Sequence, residues 1–112
     1  MTKVYIAGVG MTQMGKLLDR SVKSLTAGAV GAALSDGGID KSLLQAAYFS
    51  NATQGHMEGQ EMIRGEIALR DMGVEEIPVV NVENACASGA TAFNLAVQFL
   101  KAGEGDVSLA VG

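Results

Sequence analysis

Apolar and polar positions fall in blocks along the chain, and the blocks predict alternating strands and helices. Residues 4–9, Val-Tyr-Ile-Ala-Gly-Val, are a short apolar run rich in β-formers that Gly10 closes. A polar loop follows through Gly15 and Lys16, and Asp19 and Ser21 both offer N-caps for a helix ending at Gly37 and Gly38. Val22, Leu25, Ala29, Ala32 and Ala33 recur at helical spacing and predict its buried face. Residues 39–44 read as a short turn capped by Asp40, and residues 46–50 as a second strand. Residues 51–59 are a polar, Gly-punctuated loop, a helix is expected over 60–71, and Gly73 stops it. Residues 78–82 make a third strand, with Pro78 at the first position, where a missing N–H is tolerated. Residues 87–101 form a helix that is apolar or small on nearly every side, which predicts burial all round. Residues 106–111 make a fourth strand.

Crossovers of these lengths allow right-handed parallel connections, so the expected fold class is α/β, an open and mostly parallel sheet with helices on both faces. A chain of 112 residues is enough for one modest domain, taken as residues 1–112. A buried-type strand at the C-terminus, with no helix after it, points to a portion of something larger. Fifteen glycines and scarce aromatics favour a core of closely packed small side chains, and a charged fraction of 18% argues against disorder. A net charge of −4 supplies no basic stripe for nucleic acid. No apolar run approaches the roughly 20 residues of a membrane span, and the opening residues show no secretory signal pattern. The single cysteine cannot form an intrachain disulfide. An intracellular location is therefore expected, the cytoplasm first, with an organelle lumen also open.

The chemistry concentrates in residues 81–93, Asn-Val-Glu-Asn-Ala-Cys-Ala-Ser-Gly-Ala-Thr-Ala-Phe. Cys86 follows a strand and opens a helix, where free backbone N–H groups and the positive end of the helix dipole favour the nucleophilic thiolate. The small residues Ala87, Ser88, Gly89 and Ala90 leave room for an acyl group above the sulfur. On position alone, a small buried core cysteine accounts for Cys86 equally well.

Other motifs carry less. Gly8-Val9-Gly10 after a strand invites a dinucleotide fingerprint, but the third glycine falls where Gln13 stands. One histidine and one cysteine give no metal-ligand spacing, so no metal is expected. His56 sits in a polar loop and reads as an exposed or interface residue rather than as a base for Cys86. The six methionines read as packing or interface residues. Asp36, Asp40, Glu75 and Glu76 read as solvated turn residues.

The segment from Asn81 to Gly89 resembles the nucleophile segment of the thiolase superfamily, an Asn-bearing strand followed by Cys-Ala-Ser-Gly. Residues 4–12 are similar to the opening strand and loop of sterol-carrier-protein type thiolases. Leu25 to Ile39 matches the first helix, Gly59-Gln60 with Arg64 the Gly-Gln-x-x-x-Arg start of the second, and residues 108–112 the strand before a Gly-x-Glu-x-Met segment. The resemblance implies the N-terminal portion of a thiolase N-terminal domain, with the strands present in the order 3-2-1-4. It implies an acyl-CoA C-acyltransferase in which Cys86 becomes acylated during 3-ketoacyl-CoA thiolysis or Claisen condensation, its backbone N–H serving as an oxyanion donor. Coenzyme A thioesters would be the substrates and no tightly bound cofactor is implied. The family's activating His and second Cys lie in its C-terminal half, so this portion alone is expected to be inactive. The strand over residues 78–83 would pair with its copy in a homodimer, and an apolar edge strand needs such a cover. Sharing this fold and segment, a ketoacyl synthase or a thiolase-fold aldolase is the alternative enzyme. A non-catalytic thiolase-like lipid carrier or complex partner is the alternative of another class.

Overall fold

The structure, a computed structural model, describes residues 2–112. Three parallel strands form the sheet: β1 (Ala46–Ser50), β2 (Val79–Val82) and β3 (Ser108–Val111), in the order β2-β1-β3. Four helices accompany them, α1 (Val22–Gly37), α2 (Gln54–Glu58), α3 (Arg64–Asp71) and α4 (Ser88–Lys101). The α/β class and the parallel sheet stand as expected.

β1 is central, and its alternating side chains show which helix covers which face. Phe49 points to α3, where Gly65 packs on its Cβ. Tyr48 points the other way and meets Phe99 of α4 edge-on, with ring centroids 6.5 Å apart. Helices therefore lie on both faces. Parallel register puts Ala47, Val79 and Leu109 on the α3 side. There the core forms, with Val30 of α1, Leu44, Ala68, Leu69 and Val74 joining Ala47 and Phe49. No helix among the described residues is long and apolar enough to cross a membrane.

The first expected strand is not formed. Residues 4–9 pair with nothing, and Tyr5 and Ile6 are 77% and 69% exposed. The order 3-2-1-4 is corrected with it, because the second expected strand, β1, pairs directly with the fourth, β3, from Ala46↔Ser108 to Phe49↔Val111. Both edges of β1 are taken and leave no slot for residues 4–9. The segment lies along α1 instead. A Cβ on Gly8 would stand 2.3 Å from the Ala33 carbonyl oxygen, and one on Gly10 would stand 2.3 Å from that of Ala29. These glycines let two backbones touch, and the Val9 N–H donates to Asp36 Oδ2 at 2.9 Å. A groove of about 840 Å³, lined by Ile6, Val30, Phe93 and Leu109 among others, separates the segment from β3.

Ser21 is the N-cap of α1, accepting from the Ser24 N–H at 3.1 Å. The buried line of α1 is rotated from the expected face. Thr26 and Val30 are buried, with Val22 and Leu34 packed at the edge of the core, while Ala29, Ala32 and Ala33 lie under Gly8 and Gly10. The loop over 51–59 contains the short α2, and α3 begins at Arg64 rather than Gln60. Ile63 adopts a left-handed φ of 47°, and the Gln60 carbonyl is occupied by Arg64 Nε at 3.1 Å, so the helix cannot extend backwards. β3 starts late because Gln45 Oε1 takes the N–H groups of Asp106 and Val107, at 2.6 and 3.0 Å. The expected all-round burial of α4 is also corrected. Only Ser88, Ala92 and Ala96 are buried, a line that faces the sheet, and Phe93, half exposed, lines the groove between residues 4–9 and β3.

Candidate active site

The three strands end on one side, with Ser50 level with Val82 and Phe49 level with Val111. In parallel sheets this carboxyl edge is where ligands collect. Glu83, Asn84 and Ala85 carry the chain beyond β2 to Cys86, and α4 begins two residues later at Ser88. Cys86 is thus on a sharp strand-to-helix turn, one residue before the N-cap Ala87 rather than inside the helix. Its thiol is free and exposed, which removes the buried-core reading that position alone left open.

The turn is closed by its own hydrogen bonds. Glu83 Oε2 accepts from the Ala85 N–H at 2.7 Å. The Ser88 hydroxyl accepts from the Asn84 N–H at 2.8 Å and donates to the Ala85 carbonyl at 2.7 Å. The Ala87 N–H reaches the Asn84 carbonyl at 3.0 Å, and the Ser88 N–H the Ala85 carbonyl at 3.1 Å. Asn84 Nδ2 donates to Thr91 Oγ1 at 3.1 Å, and that hydroxyl donates to the Ala87 carbonyl at 2.8 Å. Ala85 is held at φ 49°, a left-handed conformation that costs a residue with a Cβ about 1–2 kcal/mol.

The neighbouring connection between β1 and α3 is tied as firmly. Asn51 Oδ1 accepts from the Thr53 and Gln54 N–H groups at 2.9 and 2.7 Å, an Asx turn that starts α2. Arg64 Nη1 donates to the Asn51 carbonyl at 2.7 Å. Glu58 Oε2 receives the Val22 N–H at the start of α1, at 3.2 Å. Arg64 is therefore a half-buried latch. α3 has no side-chain cap of its own. Asn81 of β2 supplies one, accepting from the Gly65 N–H at 2.7 Å and donating to Glu66 Oε1 at 2.6 Å.

His56 sits exposed on α2, and no hydrogen bond among the described residues joins it to Cys86. Gln60 and Arg64 also stay away from the thiol, bonding within their own loop. Asp36 accepts from Val9, Glu75 lies 3.7 Å from Arg70 on the surface, and Asp40 caps the 3-10 turn Lys41–Leu43. Hydrogen bonds from Ser42, its hydroxyl first and its backbone N–H second, hold the Asp40 carboxyl below the usual aspartate value. No group of three or more His, Cys, Asp or Glu among the described residues is arranged to hold a metal ion.

Sequence reasoning valued Ala87, Ser88 and Gly89 for their small size and missed the Ser88 hydroxyl as a bonding group. It also passed over Glu83 and Asn51. The available signal was a run of Asx, Glu and Ser residues around a strand end, a pattern whose side chains bond nearby backbone.

The family model for the thiolase N-terminal domain matches residues 4–112. Over 113 residues the chain is 39% identical to the benzoylsuccinyl-CoA thiolase subunit BbsB of Thauera aromatica, covering 98% of this chain and 27% of that protein. It is 39% identical to an acetyl-CoA acetyltransferase of Methanocaldococcus jannaschii, covering 100% of this chain and 28% of the relative. Sterol carrier protein 2 of Gallus gallus is 33% identical, with 98% and 20% covered. The chain thus spans little more than a quarter of the length of the first two relatives. Among solved structures, 3-oxoacyl-[acyl-carrier-protein] synthase III from Aquifex aeolicus shares the fold with a TM-score of 0.65 at 14% identity, over 77% of this chain and 27% of that one.

Proposed function

Because the chain belongs to the thiolase family, as a thiolase N-terminal domain, we propose that it supplies the nucleophile of an acyl-CoA C-acyltransferase, and that Cys86 is that nucleophile. One observation carries the reading. The only cysteine stands exposed at the carboxyl edge of the sheet, at the tip of a hydrogen-bonded turn that leads into α4.

In the proposed reaction the Cys86 sulfur bonds to the carbonyl carbon of an acyl-CoA and the bond from that carbon to the CoA sulfur breaks. CoA leaves as a thiol, with the proton that the Cys86 thiol gives up. The Cys86 backbone N–H, close to the start of α4, is the proposed donor to the oxyanion of the tetrahedral intermediate. In condensation the acyl carbon then bonds to the α-carbon of a second acyl-CoA, which gives up a proton, and the bond to the Cys86 sulfur breaks. In thiolysis the Cys86 sulfur instead bonds to the 3-keto carbon of a 3-ketoacyl-CoA, and the bond between its α- and β-carbons breaks. The α-carbon takes up a proton to leave as the shorter acyl-CoA, and a CoA thiol then displaces the acyl group from Cys86. The substrates are CoA thioesters and no tightly bound cofactor is required. Among the described residues His56 makes no hydrogen bond to the thiol, which supports a reading in which the proton-transfer groups lie outside residues 1–112 and this portion alone is inactive. β2 is an edge strand with Val80 44% exposed, which supports a homodimer joined through residues 78–83.

Sequence relatives named as thiolases and acetyltransferases favour this reading over a ketoacyl synthase, because the synthase likeness is one of fold. The test is to incubate the full-length protein with acetyl-CoA, quench in acid and map the adduct by peptide mass. An acetyl group on the Cys86 peptide is expected, absent in Cys86→Ala. A protein that releases no CoA and carries no acyl group refutes the proposal and leaves a non-catalytic, thiolase-like partner.

A further inference from the structure

We propose that Ser88 is the positioning residue for Cys86, a clasp that holds the turn in the one conformation that presents the thiol; this rests on the acyl-transfer reading above. Ser88 is 6% exposed and is the first residue of α4. Its hydroxyl spans the turn, taking the Asn84 N–H at 2.8 Å and giving its own proton to the Ala85 carbonyl at 2.7 Å. Both groups belong to the dipeptide just before Cys86. A hydroxyl is the smallest side-chain group that donates and accepts at once, and this site uses both capacities.

The need for a clasp follows from Ala85. Its left-handed φ of 49° is the sharp corner that turns the chain from β2 toward α4, and a residue with a Cβ leaves that region unless its surroundings hold it there. Glycine would adopt the corner without help, but alanine needs its flanking peptide groups fixed. Glu83 fixes the Ala85 N–H from outside the turn, and Ser88 fixes the Asn84 N–H and the Ala85 carbonyl from inside. Without the hydroxyl the Ala85 carbonyl keeps only the longer bond from the Ser88 N–H at 3.1 Å and the Asn84 N–H loses its partner, so the Ala85–Cys86 peptide rotates more freely, and the sulfur and the Cys86 N–H move together. Nucleophile and proposed oxyanion donor are thereby lost in one step, which is a loss in turnover rather than in ground-state binding.

The experiment compares full-length wild type with Ser88→Ala and Ser88→Thr, reading steady-state kinetics with acetyl-CoA and site-resolved amide hydrogen exchange. Ser88→Ala is expected to lower kcat at least tenfold, with KM for acetyl-CoA within threefold of wild type. Ser88→Thr, which keeps the hydroxyl, is expected to restore kcat to within threefold. Exchange at Asn84 should quicken at least tenfold in Ser88→Ala, while the Ala92 and Ala96 amides of α4 keep their protection. Should Ser88→Ala fail to fold, the same readouts are taken on Ser88→Ala/Ala85→Gly, whose glycine holds the corner unaided: a kcat within threefold of Ala85→Gly is expected, and a further tenfold loss overturns the clasp. Wild-type kcat and Asn84 exchange in the alanine variant, or a threonine variant as slow as alanine, overturns the clasp. A wild type that forms no acyl-enzyme refutes the acyl-transfer reading separately, and the clasp then stands or falls on Asn84 exchange.

Discussion

The same substitution should have opposite signs at two helical glycines, because one faces a strand and the other faces open space. Gly65 lies in the first turn of α3. A Cβ there would stand 2.5 Å from Phe49 Cβ, 2.8 Å from Val79 Cγ1 and 2.9 Å from Phe49 Cγ. The optimum between carbon atoms is about 3.5–4.0 Å, so the closest contact is about 1 Å too short. Phe49 cannot retreat: its Cβ is set by the backbone of β1, which is paired on both sides. The helix must lift instead, against the packing of Ala68 and Leu69, both fully buried. Overpacking of this kind costs about 1–3 kcal/mol, and an immovable neighbour puts Gly65→Ala near the top of that range. Helix propensity returns about 1 kcal/mol, which leaves a net loss of about 2 kcal/mol. Gly31, in the middle of α1, has no atom within 4 Å of a built Cβ, so Gly31→Ala should gain about 1 kcal/mol from propensity alone. Urea unfolding followed by far-UV circular dichroism reads both. With m of about 2 kcal/mol/M, the Gly65→Ala midpoint should fall by about 1 M and that of Gly31→Ala should rise by about 0.5 M, m unchanged. A Gly65→Ala protein as stable as wild type would refute the claim that α3 rests on β1 at this distance.

Two further outcomes follow from capping. Asn81→Ala should cost about 1–2 kcal/mol, the usual loss for a helix cap, although Asn81 belongs to β2 and not to α3; an unchanged urea midpoint would show that its bonds to Gly65 and Glu66 contribute nothing. Asp40 has a folded-state pKa below its ordinary value of 3.8, so its contribution is complete above pH 3.8 and is lost as pH falls through the lower folded value. The midpoint difference between wild type and Asp40→Ala should be constant from neutral pH down to about pH 5 and shrink below pH 3.8; a difference that persists at full size in stronger acid contradicts the assignment.

The elements read best from sequence were those decided by local chemistry. The sequence reading of residues 46–50 as a strand matches β1, a run of five with burial on both faces, and the Ser21 and Asp40 caps act within three residues of themselves. Residues 4–9 carry as strong a strand pattern, but pairing is a property of available edges, and β3 takes the edge of β1 that the expected order assigned to them. The buried face of α1 shifted because alanines can be covered by a glycine-bearing segment as readily as by a core. Composition cannot tell the two apart. At the site, the position of Cys86 was legible because a cysteine between a strand and a small-residue helix has few places to go. The side chains that shape its turn were not, since a hydroxyl that bonds two peptide groups looks on paper like any other small residue.

The two-sided strand at the centre of the sheet separates questions that are usually entangled. Along β1, Ala47 and Phe49 belong to the layer that holds the fold together, whereas Tyr48 meets Phe99 of α4 and Ser50 donates to the Val111 carbonyl at 2.7 Å, at the edge where the Cys86 turn lies. A library randomised at 47 and 49 would therefore be filtered by folding yield, and one randomised at 48 and 50 by the alignment of the helix behind the thiol. Four consecutive codons thus interleave two separate selections, one for a protein that survives and one for a thiol that is aimed.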